Sequence, residues 1–172
     1  MRVVNGLGAM AVAALAGWTF LQPPIGAWAF AAADFAFIAW LARELRRVDV
    51  AALCARAHEP LEADETDVVR RYAFYFARPA LARECASTLG ATGLATLAVV
   101  PWCIYKMQWA QAILIGILLF AVGRLTKLAS PVYALRLATA KGDREALRLL
   151  AAHDGAARKL SAPHLSPDQP GA

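Results

Sequence analysis

The apolar residues of this 172-residue chain are gathered into four blocks instead of being spread along it. The blocks cover about residues 3–21, 25–41, 86–104 and 109–128. Each is about as long as the roughly 17–25 residues that a helix needs to cross a bilayer. Because lipid offers no hydrogen-bond partner to the backbone, such blocks are expected to be helical. The sequence therefore predicts an all-α polytopic membrane protein whose four transmembrane helices form two hairpins.

The composition is typical of a membrane protein. Hydrophobic residues make up 59% of the chain and its mean hydropathy is +0.45. Soluble domains of this size rarely carry so much apolar content, because their surfaces need charge. We therefore predict a transmembrane domain over residues 1–129 and short cytoplasmic helices over 130–160. Because three prolines fall in residues 161–172, we predict a disordered tail there.

The positive charges predict the orientation. Of the 18 Lys and Arg residues, Lys106 alone lies on the side of the two short turns, Gln22–Pro24 and Tyr105–Gln108, which leaves 17 on the other side. Loops rich in Lys and Arg stay in the cytoplasm during insertion. We therefore place both termini in the cytoplasm of an inner membrane. Heavy use of alanine and arginine suggests a bacterium. The net charge of +5 comes with no nucleic-acid-binding motif, so we predict no nucleic-acid partner.

A cleaved signal peptide is the competing interpretation of the N-terminal block. The tripeptide Ala27-Trp28-Ala29 has the small-x-small form of a cleavage site. Cleavage there would leave only Phe30–Leu41 of the second block, which is too short to cross a bilayer. We therefore favour an intact second span.

The two predicted hairpins resemble each other. Gly6–Trp18 and Gly90–Trp102 are both rich in glycine and alanine, and each is followed by a short turn and a bulkier helix. Parallel repeats of this kind occur in transporters. The pattern suggests a duplicated helical hairpin, with both copies inserted in the same direction.

A polar segment, residues 43–83, separates the hairpins and contains two amphipathic patterns. The positions with helical spacing are Val50, Leu53, Cys54 and Ala57 in the first pattern, and Val68, Val69, Tyr72, Tyr75 and Phe76 in the second. Thr66 is the predicted N-cap of the second helix. That helix either lies on the membrane surface or packs against the ends of the bundle, because both arrangements bury the same stripe.

One acidic residue lies inside a predicted span. Asp34 is near the middle of the second block, where a carboxylate is costly and should face the bundle interior. Thr88, Thr92 and Thr96 recur every four residues in the third block and share a helix face. We hypothesise that Asp34 hydrogen-bonds this stripe, with Thr92 and Thr96 at its depth. The group is either a proton or cation site, or an interhelical clasp or subunit contact.

Two further sets of residues are candidate contact surfaces. Arginines that can meet lipid headgroups or a partner protein are Arg70, Arg71, Arg78 and Arg83. Small residues at four-residue spacing permit close helix approach, within the protein or to a partner, and they are Ala9, Ala13 and Gly17, with Ser87, Ala91 and Ala95.

No catalytic or metal-binding constellation is recognisable. The cysteines, Cys54, Cys85 and Cys103, include no CxxC pair, and the three histidines all lie outside the apolar blocks. Cys54 and His58 have metal-compatible spacing, but no second pair follows. No serine has a companion suggesting a nucleophile. We therefore predict no catalytic residue, no metal site and no cofactor.

The sequence thus favours a non-catalytic accessory, assembly or scaffold subunit of a larger membrane complex. Its partners would be the lipid bilayer and other membrane subunits or a second copy of itself. The alternative is a small oligomeric transporter or channel that uses Asp34 and the threonine stripe. A membrane enzyme acting on lipid is less favoured, because no acid–base or nucleophile pair is visible.

Overall fold

The computed structural model describes residues 6–161, and every regular element in this range is a helix. The nine helices of this range are α1 (Leu7–Leu21), α2 (Pro23–Arg46), α3 (Val50–Cys54), α4 (Ala63–Arg71), α5 (Ala73–Ala77), α6 (Pro79–Tyr105), α7 (Trp109–Ala129), α8 (Pro131–Ala140) and α9 (Arg144–Ser161). The chain is therefore all-α over its described length. The predicted tail, apart from Ser161, lies outside the described residues.

Three of these helices are long and apolar enough to cross a membrane. They are α2, α6 and α7, which have 24, 27 and 21 residues. At a rise of 1.5 Å per residue, even the shortest is about 31 Å long, close to the thickness of a bilayer core. Helix α1 is apolar but has 15 described residues. Its membrane crossing therefore stays a prediction.

Proline and glutamate residues set the helix starts. Pro23, Pro79 and Pro131 each occupy the first helical position, where the missing N–H costs nothing. The predicted N-cap at Thr66 is wrong, because α4 begins three residues earlier, with Glu62 as its N-cap. The Glu62 N–H donates to Glu65 Oε2 at 2.8 Å. This hydrogen bond caps the N-terminus of α4, so Thr66 lies inside the helix and not at its N-cap.

Helices α1, α2, α6 and α7 pack together as a bundle, in which α1 pairs with α2 and α6 with α7 as two hairpins. Helix α1 packs on α2 and α6, and α7 packs on α6 and α2. Helices α1 and α6 run in the same direction, since Gly8 meets Thr88 near one end and the Phe20 ring lies 5.4 Å from the Trp102 ring near the other. The two hairpins therefore have the same polarity, which is the geometry that a duplicated hairpin requires.

Two apolar clusters fill the bundle, one above the other. The turn-end cluster contains Val12, Ala16, Ala27, Phe30, Ala31, Val99, Cys103, Ala112, Ile115 and Leu118. The cap-end cluster contains Leu41, Phe74, Ala82, Cys85, Leu89, Val122, Leu125 and Ala129. Phe74 belongs to α5, so the segment between the hairpins contributes a side chain to the bundle core.

The shorter helices form a cap on the end of the bundle opposite the short turns. The cap comprises α3, α4, α5, α8 and α9, with α9 packed on both α4 and α8. Val68 and Val69 are fully buried, and Tyr72 is nearly so. Their neighbours include Leu135 of α8 and Ala156 of α9. The stripe predicted on one helix is divided at Tyr72 between α4 and α5, and its buried residues Val68 and Val69 on α4 are covered by protein.

Candidate functional site

Three buried polar residues lie along α2 and α6 between members of the two apolar clusters. On α2, Ala31 belongs to the turn-end cluster and Leu41 to the cap-end cluster, and Asp34 lies between them. On α6, Thr92 and Thr96 lie in the same way between the two clusters. Asp34 is 5% exposed and each threonine 2%. We call Asp34, Thr92 and Thr96 the polar layer; Asp34 faces the interior, as the cost of burying its charge predicts.

The hydrogen bonds of this layer differ from those predicted. Thr96 Oγ1 donates to the carbonyl of Thr92 at 2.8 Å, and Thr88 Oγ1 donates to the carbonyl of Glu84 at 3.0 Å. Asp34 Oδ2 and Thr92 Oγ1 have no hydrogen-bond partner among residues 6–161. The predicted bond from Asp34 to the stripe is therefore absent. Threonine hydroxyls in helices commonly turn to the carbonyl four residues earlier, which accounts for Thr88 and Thr96 but not for Thr92.

Thr88 is separate from the polar layer. Its side chain is half-buried and abuts Gly8 of α1, toward the cap. The structure thus buries Asp34, Thr92 and Thr96 and leaves Thr88 at the α1–α6 contact.

The polar layer can support only a few kinds of chemistry. A buried carboxyl group can hold a proton or a cation, or accept a hydrogen bond from a partner helix. Over residues 6–161, no group of three or more His, Cys, Asp or Glu side chains is placed to hold a metal ion. Asp34 is a buried acid whose Oδ2 atom has no hydrogen-bond partner in this range.

Glu44, which the sequence pattern did not reveal, ties α2 to α6. Its side chain is buried and accepts from Arg78 at 2.6 Å and from Arg47 at 2.8 Å. Arg78 is the N-cap of α6, so the ion pair joins the end of one long helix to the start of another. Local spacing predicts only the Arg47 contact, because Arg78 is 34 residues away.

The other predicted arginines lie on the surface. Arg70 is 3.9 Å from Asp67 with its side chain 70% exposed, and Arg71 and Arg83 are also exposed. An exposed ion pair of this kind contributes little to stability. Arg70 and Arg71, both on α4, are therefore free to meet another molecule.

Two ion pairs hold α4 to α9 within the cap. Arg148 donates to both carboxylate oxygens of Asp64, with Nε 2.8 Å from Oδ2, and this hydrogen bond lowers the pKa of Asp64. Burial acts to raise the pKa of Glu65. The hydrogen bond from Lys159 Nζ, 2.7 Å away, outweighs that effect together with the Glu62 N–H, so the pKa of Glu65 is lowered.

The cap should therefore loosen in acid. A carboxyl group whose pKa is lower in the folded state contributes stability above its unfolded pKa, about 4, and loses it as the pH falls through the folded value. We expect hydrogen exchange in α9, corrected for its intrinsic pH dependence, to accelerate below about pH 4 while α6 and α7 stay protected. An Asp64→Asn/Glu65→Gln variant should lack this dependence. Uniform acceleration in all helices would contradict the prediction.

No protein-family model, curated protein or solved structure matches this chain.

Proposed function

We propose that this chain crosses a bacterial inner membrane four times, with both termini in the cytoplasm. Helices α2, α6 and α7 are able to cross by length and composition. Support for α1 as the fourth span comes from its parallel contact with α6, which extends from Thr88 to Trp102. The cap would be cytoplasmic, because 17 of the 18 Lys and Arg residues are on its side of the sequence-based topology.

Within that membrane, the chain would act as a non-catalytic accessory, assembly or scaffold subunit whose cap holds a partner. The observation that carries this proposal is the construction of the cap from two segments on either side of α6 and α7. Asp64–Arg148 and Glu65–Lys159 close it, and Glu44–Arg78 joins α2 to α6 where the bundle meets the cap. A rigid body on the bundle end suits partner binding, because little conformational freedom is lost on docking.

Two exposed surfaces would meet the partners. One is the α4 surface around Arg70 and Arg71, which arginine makes suitable for binding acidic groups. The other is the small-residue stripe of α1: Ala13 and Gly17 are exposed, so this stripe does not pack within the bundle. Small residues on a lipid-facing surface allow another transmembrane helix to approach closely.

Purification of the tagged full-length protein from its native membranes in mild detergent tests the subunit proposal. We expect another membrane protein at fixed stoichiometry, and about tenfold less of it with Arg70→Gln/Arg71→Gln, because interface arginines are frequent hot spots. Arg136→Gln/Arg144→Gln removes two exposed cap charges elsewhere and should leave the yield unchanged. Partner-free protein, or equal loss in both variants with unchanged melting temperatures, would contradict the proposal.

The second candidate is a small oligomeric transporter or channel. It is favoured by one observation, the unpartnered Asp34 Oδ2 and Thr92 Oγ1 in the buried polar layer. Proton and cation flux into liposomes containing the purified protein separates the two candidates. The subunit proposal expects no flux above that of empty liposomes. Flux that disappears in Asp34→Asn would instead establish the transporter.

A further inference from the structure

A groove of about 430 Å³ opens on the outside of the bundle where α6, α7 and α8 meet. Three glycines line the part of the groove formed by the bundle: Gly90 and Gly93 of α6 and Gly123 of α7. A Cβ atom added at any of these glycines would meet no heavy atom within 4 Å. The glycines therefore leave open space beside the bundle instead of allowing two helices to touch. We call this space the glycine groove.

The part of the groove formed by α8 is apolar and exposed. Tyr133 and Leu137 lie one turn apart on α8, and they are 68% and 48% exposed. The buried Leu135 of the same helix points into the cap instead. Large apolar side chains exposed in this way gain free energy when another apolar group covers them.

Two lysines give the groove positive charge. Lys127 lies near the end of α7 and Lys141 is the C-cap of α8; both line the groove and both are exposed. Within residues 6–161 neither ammonium group forms an ion pair. From Leu119 to Lys127 the groove follows α7 for about 12 Å. The groove thus combines an apolar surface with two exposed lysines.

We propose that the glycine groove binds one anionic phospholipid, with its phosphate between Lys127 and Lys141 and an acyl chain along the three glycines. An amphiphile with a negative head matches both halves of the groove, whereas a soluble anion would leave Tyr133 and Leu137 uncovered. The groove also lies where α7 passes into the cap, which is the headgroup level if α6 and α7 cross the membrane. Basic pockets between transmembrane helices on the cytoplasmic side bind such headgroups.

The inference rests on the proposed membrane placement, and the two can fail separately. Alkaline carbonate extraction tests the placement: the protein should stay in the membrane pellet, whether or not the groove binds lipid. Release of every variant into the supernatant would overturn the membrane placement itself. Lipid binding is then measured only for variants that stay in the membrane pellet.

Native mass spectrometry of the delipidated full-length protein tests the site. Phosphatidylglycerol and phosphatidylcholine with identical acyl chains are added in detergent, and the first lipid bound per protein is counted. We expect an affinity for phosphatidylglycerol about tenfold higher, because each lysine near the headgroup contributes several-fold. Lys127→Gln/Lys141→Gln should remove this preference, and Arg136→Gln, on the same helix α8 but outside the groove, should retain it.

A second pair of variants tests the acyl-chain half. Gly123→Leu should fill the groove and reduce binding of both lipids about tenfold, because the chain loses its apolar contacts. Gly116→Leu adds the same side chain to α7 at another open position and should have no effect. Equal affinity for the two lipids, or equal loss in the two leucine variants, would overturn the proposal. A changed oligomeric state in Gly123→Leu without a changed lipid count would identify a second copy as the occupant and would also overturn it.

Discussion

Replacing Gly26 with alanine should separate α1 from α2 and strongly destabilise the protein. A Cβ atom at this position would lie 2.5 Å from Thr19 Cα, 2.7 Å from Thr19 N and 2.9 Å from the carbonyl carbon of Trp18. These are backbone atoms, which cannot rotate away as the end of a side chain can. Overpacking of this kind typically costs about 1–3 kcal/mol, and we expect the upper part of that range.

The measurement is the free energy of unfolding in mixed micelles, followed by tryptophan fluorescence. Gly116→Ala provides the matched control, because it adds the same methyl group to an exposed position on α7 with nothing within 4 Å. Alanine is also the better helix former, so this control should equal or exceed the parent in stability. Equal stability of the Gly26 and Gly116 variants would show that α1 and α2 do not pack this closely.

Replacing Gly155 with leucine should detach α9 from α4. Gly155 faces Glu65, and a Cβ atom there would collide with Glu65 Oε1. The same carboxylate accepts from Lys159 and from the Glu62 N–H. A leucine would therefore displace the group that both caps α4 and holds α9, and the apolar cluster that includes Ala156 would open.

Cys54 reports this opening. Its free thiol is half-buried against the Val69 and Ala156 cluster, whereas Cys85 and Cys103 are buried in the bundle. We expect Gly155→Leu to raise the maleimide labelling rate of Cys54 at least about tenfold, since cap opening becomes that much more frequent. Ala151→Leu, at an exposed position on the same helix, should leave the rate unchanged. Faster labelling of all three cysteines would mean global unfolding and would count against the prediction.

The sequence predicted well those features that follow from hydrophobicity, because the free-energy cost of exposing a polar group to an apolar environment holds at any position of the chain. The burial of Asp34 is one, because a carboxylate in an apolar span must face protein or water. The apolar helices themselves are another, and α2, α6 and α7 contain the blocks from which they were predicted. Both arguments use hydrophobicity alone and need no knowledge of which helices are neighbours.

Some of the features that it missed depend on distant contacts and others on local hydrogen bonds. The contact of Glu65 with Lys159 joins residues 94 positions apart, whereas its bond with the Glu62 N–H at the start of α4 is local. Glu44 joins α2 to α6 through its ion pair with Arg78, which is 34 residues away in the sequence. The bond from Asp34 to the threonines failed because spacing predicts a shared face but not whether a hydroxyl turns to its own backbone.

The two-part construction of the cap has a consequence for synthesis. Helix α4 ends at Arg71 and α9 begins at Arg144, so the ribosome needs about 4–15 s to complete the second part after the first. During that interval Val69 and Tyr72 lack the partners that later cover them. A chain stalled before α9 emerges would present this apolar surface to chaperones and proteases. The cap can close only in a chain whose α6 and α7 have already been synthesised. Cellular quality control can therefore distinguish a chain with a closed cap from an unfinished chain.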